Sequence, residues 1–543
     1  MKKRRYMPVA YTIIVFIIIF SFHTYQNLKV ITSSTSEKWA RSMYIDKSPY
    51  KKQASVAINE DAIWILIAKE DRFTRTAIDK HKAVISEAHD ILIPRSQLNK
   101  LVKYQGIGPY IFWTENFELY MSKEQADGSY EEKSLISENV MDFNVIEYDG
   151  QNFIAVACDM GLMYYRIDQQ GLVQLGNTYA IEKPLYVSTA IDDSGIFHTV
   201  AIRQISPMLK EVVYLHFFDN QWLLKAQKVE NAQISNESVG NLEIGLDNDY
   251  AYIFYENNVW NNAGQTAKTL YATLPLNAND QIEMKFKPLK PMGRESQNDE
   301  YVSEVRCPGI QQNQLTAVFI EDYYDEAGSG FRILNVSFKD GVITSQLPVT
   351  KTMDFIKEIN IAKVEEDEAL VFLRPAGEFK YDIWFTESGE EYASVLEKPT
   401  KEDYLTAMAE SVSPFISGII LAMIKAFEFL PAILWVVIVE FFEIKKFTSK
   451  PKLNYLIAMA IYMIIKLATT NSYYRGLAYY KMPDFMKPVI IKYSIMIMIS
   501  AVAYLLVRSW KKNIADFHII SEFLLFAAYD ILITVFLYGP YII

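Results

Sequence analysis

Between Ala54 and Pro375 one local pattern recurs seven times: a short apolar strand, a turn rich in Asp, Asn, Glu or Gly, and a second apolar strand. The instances begin near Ala54, Leu101, Phe143, Ser188, Asn241, Val305 and Ile359, at a spacing of roughly 40–65 residues. The turn tips include Asn59–Asp61, Asp149–Gly150, Asp192–Gly195, Asp247–Asp249 and Glu365–Glu368, whose chemistry suits tight hairpins. One four-stranded sheet cannot bury both of its faces, whereas a ring of such sheets can. The repeat therefore predicts a seven-bladed β-propeller. Two stacked β-sandwiches are the alternative arrangement of the same strands. There is no WD or kelch signature and no Asp-box, so the pattern specifies an architecture and no family.

Charge and hydropathy divide the chain further. Residues 1–29 hold five Lys or Arg and no acid, and residues 405–543 hold thirteen Lys or Arg against eight Asp or Glu. The block between them carries 36 basic and 57 acidic residues, a net −21 hidden inside a whole-chain net of −11. Half of the chain is hydrophobic and 22% is charged, which excludes a disordered chain, and the net acidity leaves no global basic footprint for nucleic acid. Lys2, Lys3, Arg4 and Arg5 precede an apolar run from Pro8 to Phe22, with no good small-residue cleavage site after it; this reads as a signal anchor over residues 1–29. Four more apolar segments, 414–439, 453–470, 488–507 and 519–538, approach the length of a membrane span.

The predicted organisation is a membrane-anchored all-β domain plus an α-helical transmembrane bundle. The anchor (1–29) leads through a linker (30–49) to a propeller (50–400) and a four-helix membrane domain (405–543). Lys445, Lys446, Lys450 and Lys452 follow the second span, and Arg508, Lys511 and Lys512 follow the fourth. The positive-inside rule then places these loops and the N-terminus in the cytoplasm of a multi-pass cell-membrane protein, with the large domain and the C-terminus outside. The cytoplasmic parts are too short for a kinase or a DNA-binding module. Cys158 and Cys307 fall in units three and six and are expected as two free thiols.

Signals for chemistry are sparse. No P-loop, G-x-S-x-G, H-E-x-x-H or zinc-ligand spacing occurs; no cofactor or catalytic residue is assigned, and the expectation is a non-enzyme. Glu321, Asp322, Asp325 and Glu326, read as a Gly-containing loop between strands, are the weak candidates for a Ca²⁺ site; a solvated acidic loop is the plainer reading. Trp222 and Trp260, near turns, are candidates for an exposed aromatic surface, whereas Trp64, Trp113 and Trp384 read as blade packing. Lys425, Glu428 and Asp530 fall near mid-depth of apolar segments, where ionisable groups face protein or water and are paired. Lys425 and Glu428 are spaced to meet on one helix face, Asp530 is expected to reach Lys425, and Lys466 and Lys492 are expected to snorkel outward.

These features predict an integral membrane protein of a bacterial envelope that displays an acidic extracytoplasmic propeller. The propeller binds a protein or glycan, and the bundle joins a partner membrane protein in an export, transport or assembly complex. Two other classes stay open: a transporter or channel subunit working through Lys425, Glu428 and Asp530, and an extracytoplasmic glycan-processing enzyme with a carboxylate pair at the propeller mouth.

Overall fold

The computed structural model describes residues 7–59, 62–93, 98–125, 127–168, 171–206, 209–231, 237–261, 264–277, 282–292, 302–325, 328–351, 353, 355–377, 380–475, 477–512 and 518–542. They fall into two compact units: Ser34–Tyr323 with Ser329–Glu397, and Met1–Ser33 with Tyr324–Gly328 and Lys398–Ile543.

The first unit is a seven-bladed β-propeller, with seven antiparallel sheets of four strands among the described residues. Six blades are simple meanders whose inner strands are Ser55–Ile58, Leu101–Ile107, Val140–Tyr148, Pro184–Ile191, Glu237–Leu246 and Val302–Arg306. Each of the seven repeats seen in the sequence falls at or within one inner strand. Blade seven is composite. Lys357–Val364, Asp367–Pro375 and Tyr381–Glu387 form its first three strands, and the fourth is Met43–Ser48, pairing antiparallel with Tyr381–Glu387. That strand lies in the stretch read as a linker. Its short, mixed sequence MYIDKS carries little strand signal by itself, but it supplies the outer edge of blade seven, and so ties the beginning of the domain to its end.

Period-2 alternation explains how the blades pack, because alternate residues of a strand face opposite neighbours. Ile63, Ile65 and Ile67 of blade one share a core with Val371, Leu373 and Phe385 of blade seven. Ile154 and Val156 of blade three likewise pack with Phe112 and Leu119 of blade two. Both cysteines are free and buried, as expected.

A belt of side chains bonds each inner strand to the next. Gly106 N–H donates to Ser55 Oγ at 2.9 Å, and Val145 N–H to Gln105 Oε1 at 3.1 Å. Thr189 N–H donates to Asn144 Oδ1 at 3.3 Å, and Ile244 N–H to Ser188 Oγ at 3.2 Å. Cys307 N–H donates to Glu243 Oε1 at 3.1 Å, and Ile359 N–H to Glu304 Oε2 at 3.2 Å. Asn360 Nδ2 closes the circle on Ala54 O at 3.0 Å. Inner-strand backbone has no sheet neighbour on its axial side, so these bonds satisfy polar groups that the blades alone leave open.

The second unit is helical. Four of its helical segments are long and apolar enough to cross a membrane: Met7–Thr32, Pro451–Tyr474, Val489–Lys511 and Ile519–Ile542. The span expected over 414–439 is not one helix. Lys401–Lys425 gives way to a 3-10 turn at Ala426–Phe429, and a new helix, Leu430–Phe441, begins with Pro431 in its first turn. Proline lacks the N–H that a continuing helix needs and is accepted only at such a start.

Removing one belt member tests its contribution. Gln105 both accepts from Val145 N–H and donates to Val145 O at 2.7 Å. Gln105→Ala is expected to lower propeller stability by about 1–3 kcal/mol, the cost of leaving buried backbone groups unpaired. The denaturant midpoint of the full chain in detergent reads this, and an unchanged midpoint would show that the belt is ornamental.

Candidate functional site

The seven inner strands enclose an axial cavity of about 1200 Å³ to which every blade contributes. Its lining holds six cations, Lys51, Lys52, Lys80, Lys103, Arg306 and Lys363, and six acids, Glu147, Asp149, Glu243, Glu358, Glu365 and Asp367. The cavity is therefore balanced although the block around it is acidic. The belt bonds advance in the same sense in every blade, so all seven inner strands run the same way along the axis. Lys51, Lys52 and Lys103 stand where the strands begin, and Glu147, Asp149, Glu365 and Asp367 where they finish.

Most of the cavity's cations are engaged by the fold. Lys80 meets Asp367 at 2.8 Å, Lys103 meets Asp142 at 2.8 Å, and Lys363 meets Glu368 at 3.2 Å. Arg306 donates to Asn241 Oδ1 at 3.1 Å. Lys51 and Lys52 have no hydrogen bond or ion pair among the described residues.

The seam between blades five, six and seven is unusual. Blade six places Arg306 where its neighbours place belt acceptors, and the acceptor role moves to Glu304 two residues earlier. Glu304 sits at a break in strand register with φ +53°, a conformation that favours glycine. Its N–H donates to Glu256 Oε2 at 3.0 Å, its Oε2 receives Ile359 N–H, and Lys357 Nζ lies 3.6 Å from its Oε1. Burial, reinforced by Glu358 and Glu256 and opposed by Lys357 and Arg306, pushes its carboxyl up to about 7. Burial also raises Glu243, and burial with Asp367 beside it pushes Glu387 up to about 8.

Blade four contains a buried polar file that spacing alone did not reveal. His198 bonds Asp192 at 3.1 Å through Nε2 and Tyr214 at 2.6 Å through Nδ1, and His216 reaches the same phenol at 3.0 Å. His198 and His216 are directly opposed on paired strands, which only the register shows. Burial, with His198 and Lys225 nearby, pulls His216 down to about 3.

The residues singled out from sequence divide. Glu321 and Asp322 lie within the strand Leu315–Asp325 and not in a loop. Neighbouring strand residues face opposite sides, and Glu321 is buried and paired with Arg332 at 2.5 Å. The side chain of Asp325 and all of Glu326 lie outside the described residues. Among the described residues no cluster of three or more metal-ligating side chains occurs. Trp222 is half-buried and its indole N–H donates to Asn177 O at 2.8 Å. Tyr164 stacks on its ring at 5.3 Å, so it belongs to the packing between blades three and four. Trp260 is on the strand Tyr250–Asn261, and its side chain lies outside the described residues.

In the helical unit Lys425 and Glu428 pair at 2.7 Å at the helix break, as their spacing implies. Asp530 does not reach Lys425. It is fully buried and pairs with Lys466 at 2.7 Å. Tyr462 donates to the same carboxylate at 2.6 Å, and Ser500 bonds its other oxygen. Lys466 also reaches Met496 O at 3.3 Å and Ser500 Oγ at 3.1 Å, so it does not snorkel. Helical periodicity puts Tyr462 and Lys466 on one buried face four residues apart, a signal present in the sequence; which carboxylate faces it is a matter of packing between helices.

No family model matches the sequence and no curated protein matches it. Among solved structures the chain is similar to polysaccharide lyase Uly1, with 7% identity and a TM-score of 0.41 over 62% of this chain and 90% of that one. It is similar to the Dos1 propeller at 6% identity and TM-score 0.34, over 65% and 92% of the two chains. Hsv2 of Kluyveromyces lactis stands at 9% identity and TM-score 0.32, over 65% and 98%. Likeness at this level ties the chain to no activity; the architecture rests on its own seven sheets.

Two predictions follow from these clusters. Glu304 keeps its proton up to about 7 when folded but loses it near its ordinary 4.5 when unfolded. Its contribution to stability is complete below 4.5 and is lost as pH rises through 7. Glu304→Gln should therefore raise the denaturant midpoint relative to the parent at pH 8 and leave it near the parent at pH 5; equal differences at both pH values would refute the assignment. For the helical cluster, Asp530→Asn leaves Lys466 buried without its counter-charge and should cost about 3–5 kcal/mol. Asp530→Asn with Lys466→Met should recover most of that loss, read as folded protein in detergent; no recovery would mean that the pair is not acting as a neutralised brace.

Proposed function

We propose that this chain is an integral membrane protein that presents its propeller outside the cytoplasm as a non-enzymatic binding module, within a complex for export, transport or assembly at the cell envelope. The observation that carries this reading is the state of the axial cavity. Its polar groups are largely spent on bracing blade to blade, which suits a rigid frame that displays surfaces more than a reaction chamber. The orientation follows from charge. Counted as one crossing broken at its middle by the Ala426–Phe429 turn, the segment 414–439 joins the four long helices to make five, and the Lys445–Lys452 and Arg508–Lys512 clusters then share the cytoplasmic side with the N-terminus.

A transporter subunit is the second reading, supported by one feature: a charged pair, Lys425–Glu428, at a helix interruption, the kind of place where membrane transporters bind ions and substrates. Purification of the full chain in mild detergent separates the readings. Co-purification with a membrane protein at fixed stoichiometry is the expected result. A monomer that turns over a polysaccharide would overturn the proposal in favour of an enzyme, and ion flux in reconstituted vesicles abolished by Lys425→Met would favour transport.

A further inference from the structure

The propeller end at which the inner strands begin carries an apolar patch on blades two and three. Phe117 is 57% exposed and Met160 69% exposed, each at the tip of a hairpin; Met141 and Val102 are exposed between them and the cavity. The backbone segments that carry these four residues adjoin one another. Phe117 O accepts Val140 N–H at 2.7 Å, Val140 lies opposite Cys158 just before the Met160 turn, and Met141 sits at the bulge between Val140 and Asp142. Lys103, next to Val102, reaches Asp142.

Phe117 is held against its own preference. It follows Asn116 in a two-residue hairpin in which both take positive φ, +54° and +64°. Glycine is favoured at the second position of such a turn, so a bulky ring there adds strain while its side chain stays in water. Neither backbone nor core accounts for it, and strain of this kind concentrates at functional surfaces. The patch is continuous with the cavity mouth, because Val102 also lines the cavity beside Lys51 and Lys52. Those two are the cavity cations without a partner among the described residues.

We propose that this rim docks a segment of a partner protein that carries large apolar side chains and carboxylates. The apolar groups cover Phe117, Met160 and Met141, and the carboxylates reach Lys51 and Lys52 at the mouth. A lipid surface fits less well, since the exposed Glu138 and Asp159 flank the same turns and would face anionic headgroups; an extended segment passes between them. The proposal rests on the reading of the propeller as a binding module and names its surface and partner class.

The test places a photoreactive phenylalanine analogue at Met160 of the full chain in its native membrane, with a second chain labelled at Glu365 on the opposite mouth. Adducts are mapped by mass spectrometry, and the captured segment is synthesised and titrated against the purified full chain. The expected result is an apolar, net acidic segment captured from Met160 whose binding falls at least about tenfold in Phe117→Gly with Met160→Ser. Lys51→Glu with Lys52→Glu should weaken it and reduce its salt dependence. Phe117→Gly relieves the turn and should keep or raise the unfolding midpoint, so lost binding would not reflect lost fold. Adducts with lipid, with a second copy of this chain or with a basic segment would overturn the proposal. Capture from Glu365 alone would overturn it while leaving the binding-module reading in place. No protein adduct at either position, with turnover by the purified chain, would remove both.

Discussion

The structure depends on closure of the ring. Each blade buries its faces only against its two neighbours, so an open ring would expose two apolar sheet faces at once. The strand Met43–Ser48 prevents this at blade seven by pairing along Tyr381–Glu387, more than 300 residues away in sequence. Asn360 and Gln53 add side-chain bonds between blades seven and one, to Ala54 O and Ile359 O. Closure of this kind gives the domain a single cooperative frame and completes blade seven with a fourth, outer strand. It also means that the chain enters and leaves the propeller through neighbouring strands of one blade, with the helical segments attached to both.

The closed ring sets what the cavity can do. Polar side chains on the inner strands face a choice between an axial ligand and the neighbouring backbone. The belt from Ser55 round to Asn360 shows the second choice taken blade after blade. The exception is at blade six, where Arg306 occupies the belt position and Glu304 substitutes from a strained backbone. A carboxylate is the strongest acceptor available to an amide N–H, but only when ionised, and burial beside Glu256 and Glu358 resists ionisation. This seam is therefore more sensitive to pH than those closed by Gln105, Asn144 or Ser188, whose groups do not titrate.

Much of this architecture was legible in the sequence, because the hairpin turns and the alternation of apolar residues are local signals. The apolar ends were legible by length, although Pro431 divided one of them into two helices. What escaped was whatever depends on a distant partner. Met43–Ser48 looked like a linker since nothing near it in sequence pairs with it. Glu321 looked like a loop acid, but the strand continues to Asp325 and Arg332 claims its carboxylate. Asp530 was recognised as needing a counter-charge. The choice of Lys466 over Lys425 was set by helix packing, which spacing along one helix cannot express. Trp222 near a turn reads as exposed, but Tyr164 of blade three and Phe217 of the paired strand pack against its ring and leave it half-buried.

The acidic excess now has a different meaning. A net −21 over residues 30–404 suggests a domain that repels polyanions and prefers basic or neutral partners. The cavity lining does not share that excess, with six cations and six acids. Several acids elsewhere are buried in seams, including Glu256, Glu304, Glu321 and Glu368, where they accept bonds from backbone or from cations and present no charge to a partner. The surface that a ligand meets is thus set locally, and the two mouths differ. Lysines without a partner among the described residues stand where the inner strands begin, and carboxylates stand where they finish. A domain acidic as a whole can in this way receive an acidic segment at one mouth, because screening confines the effective charge to groups within about 10 Å of the contact.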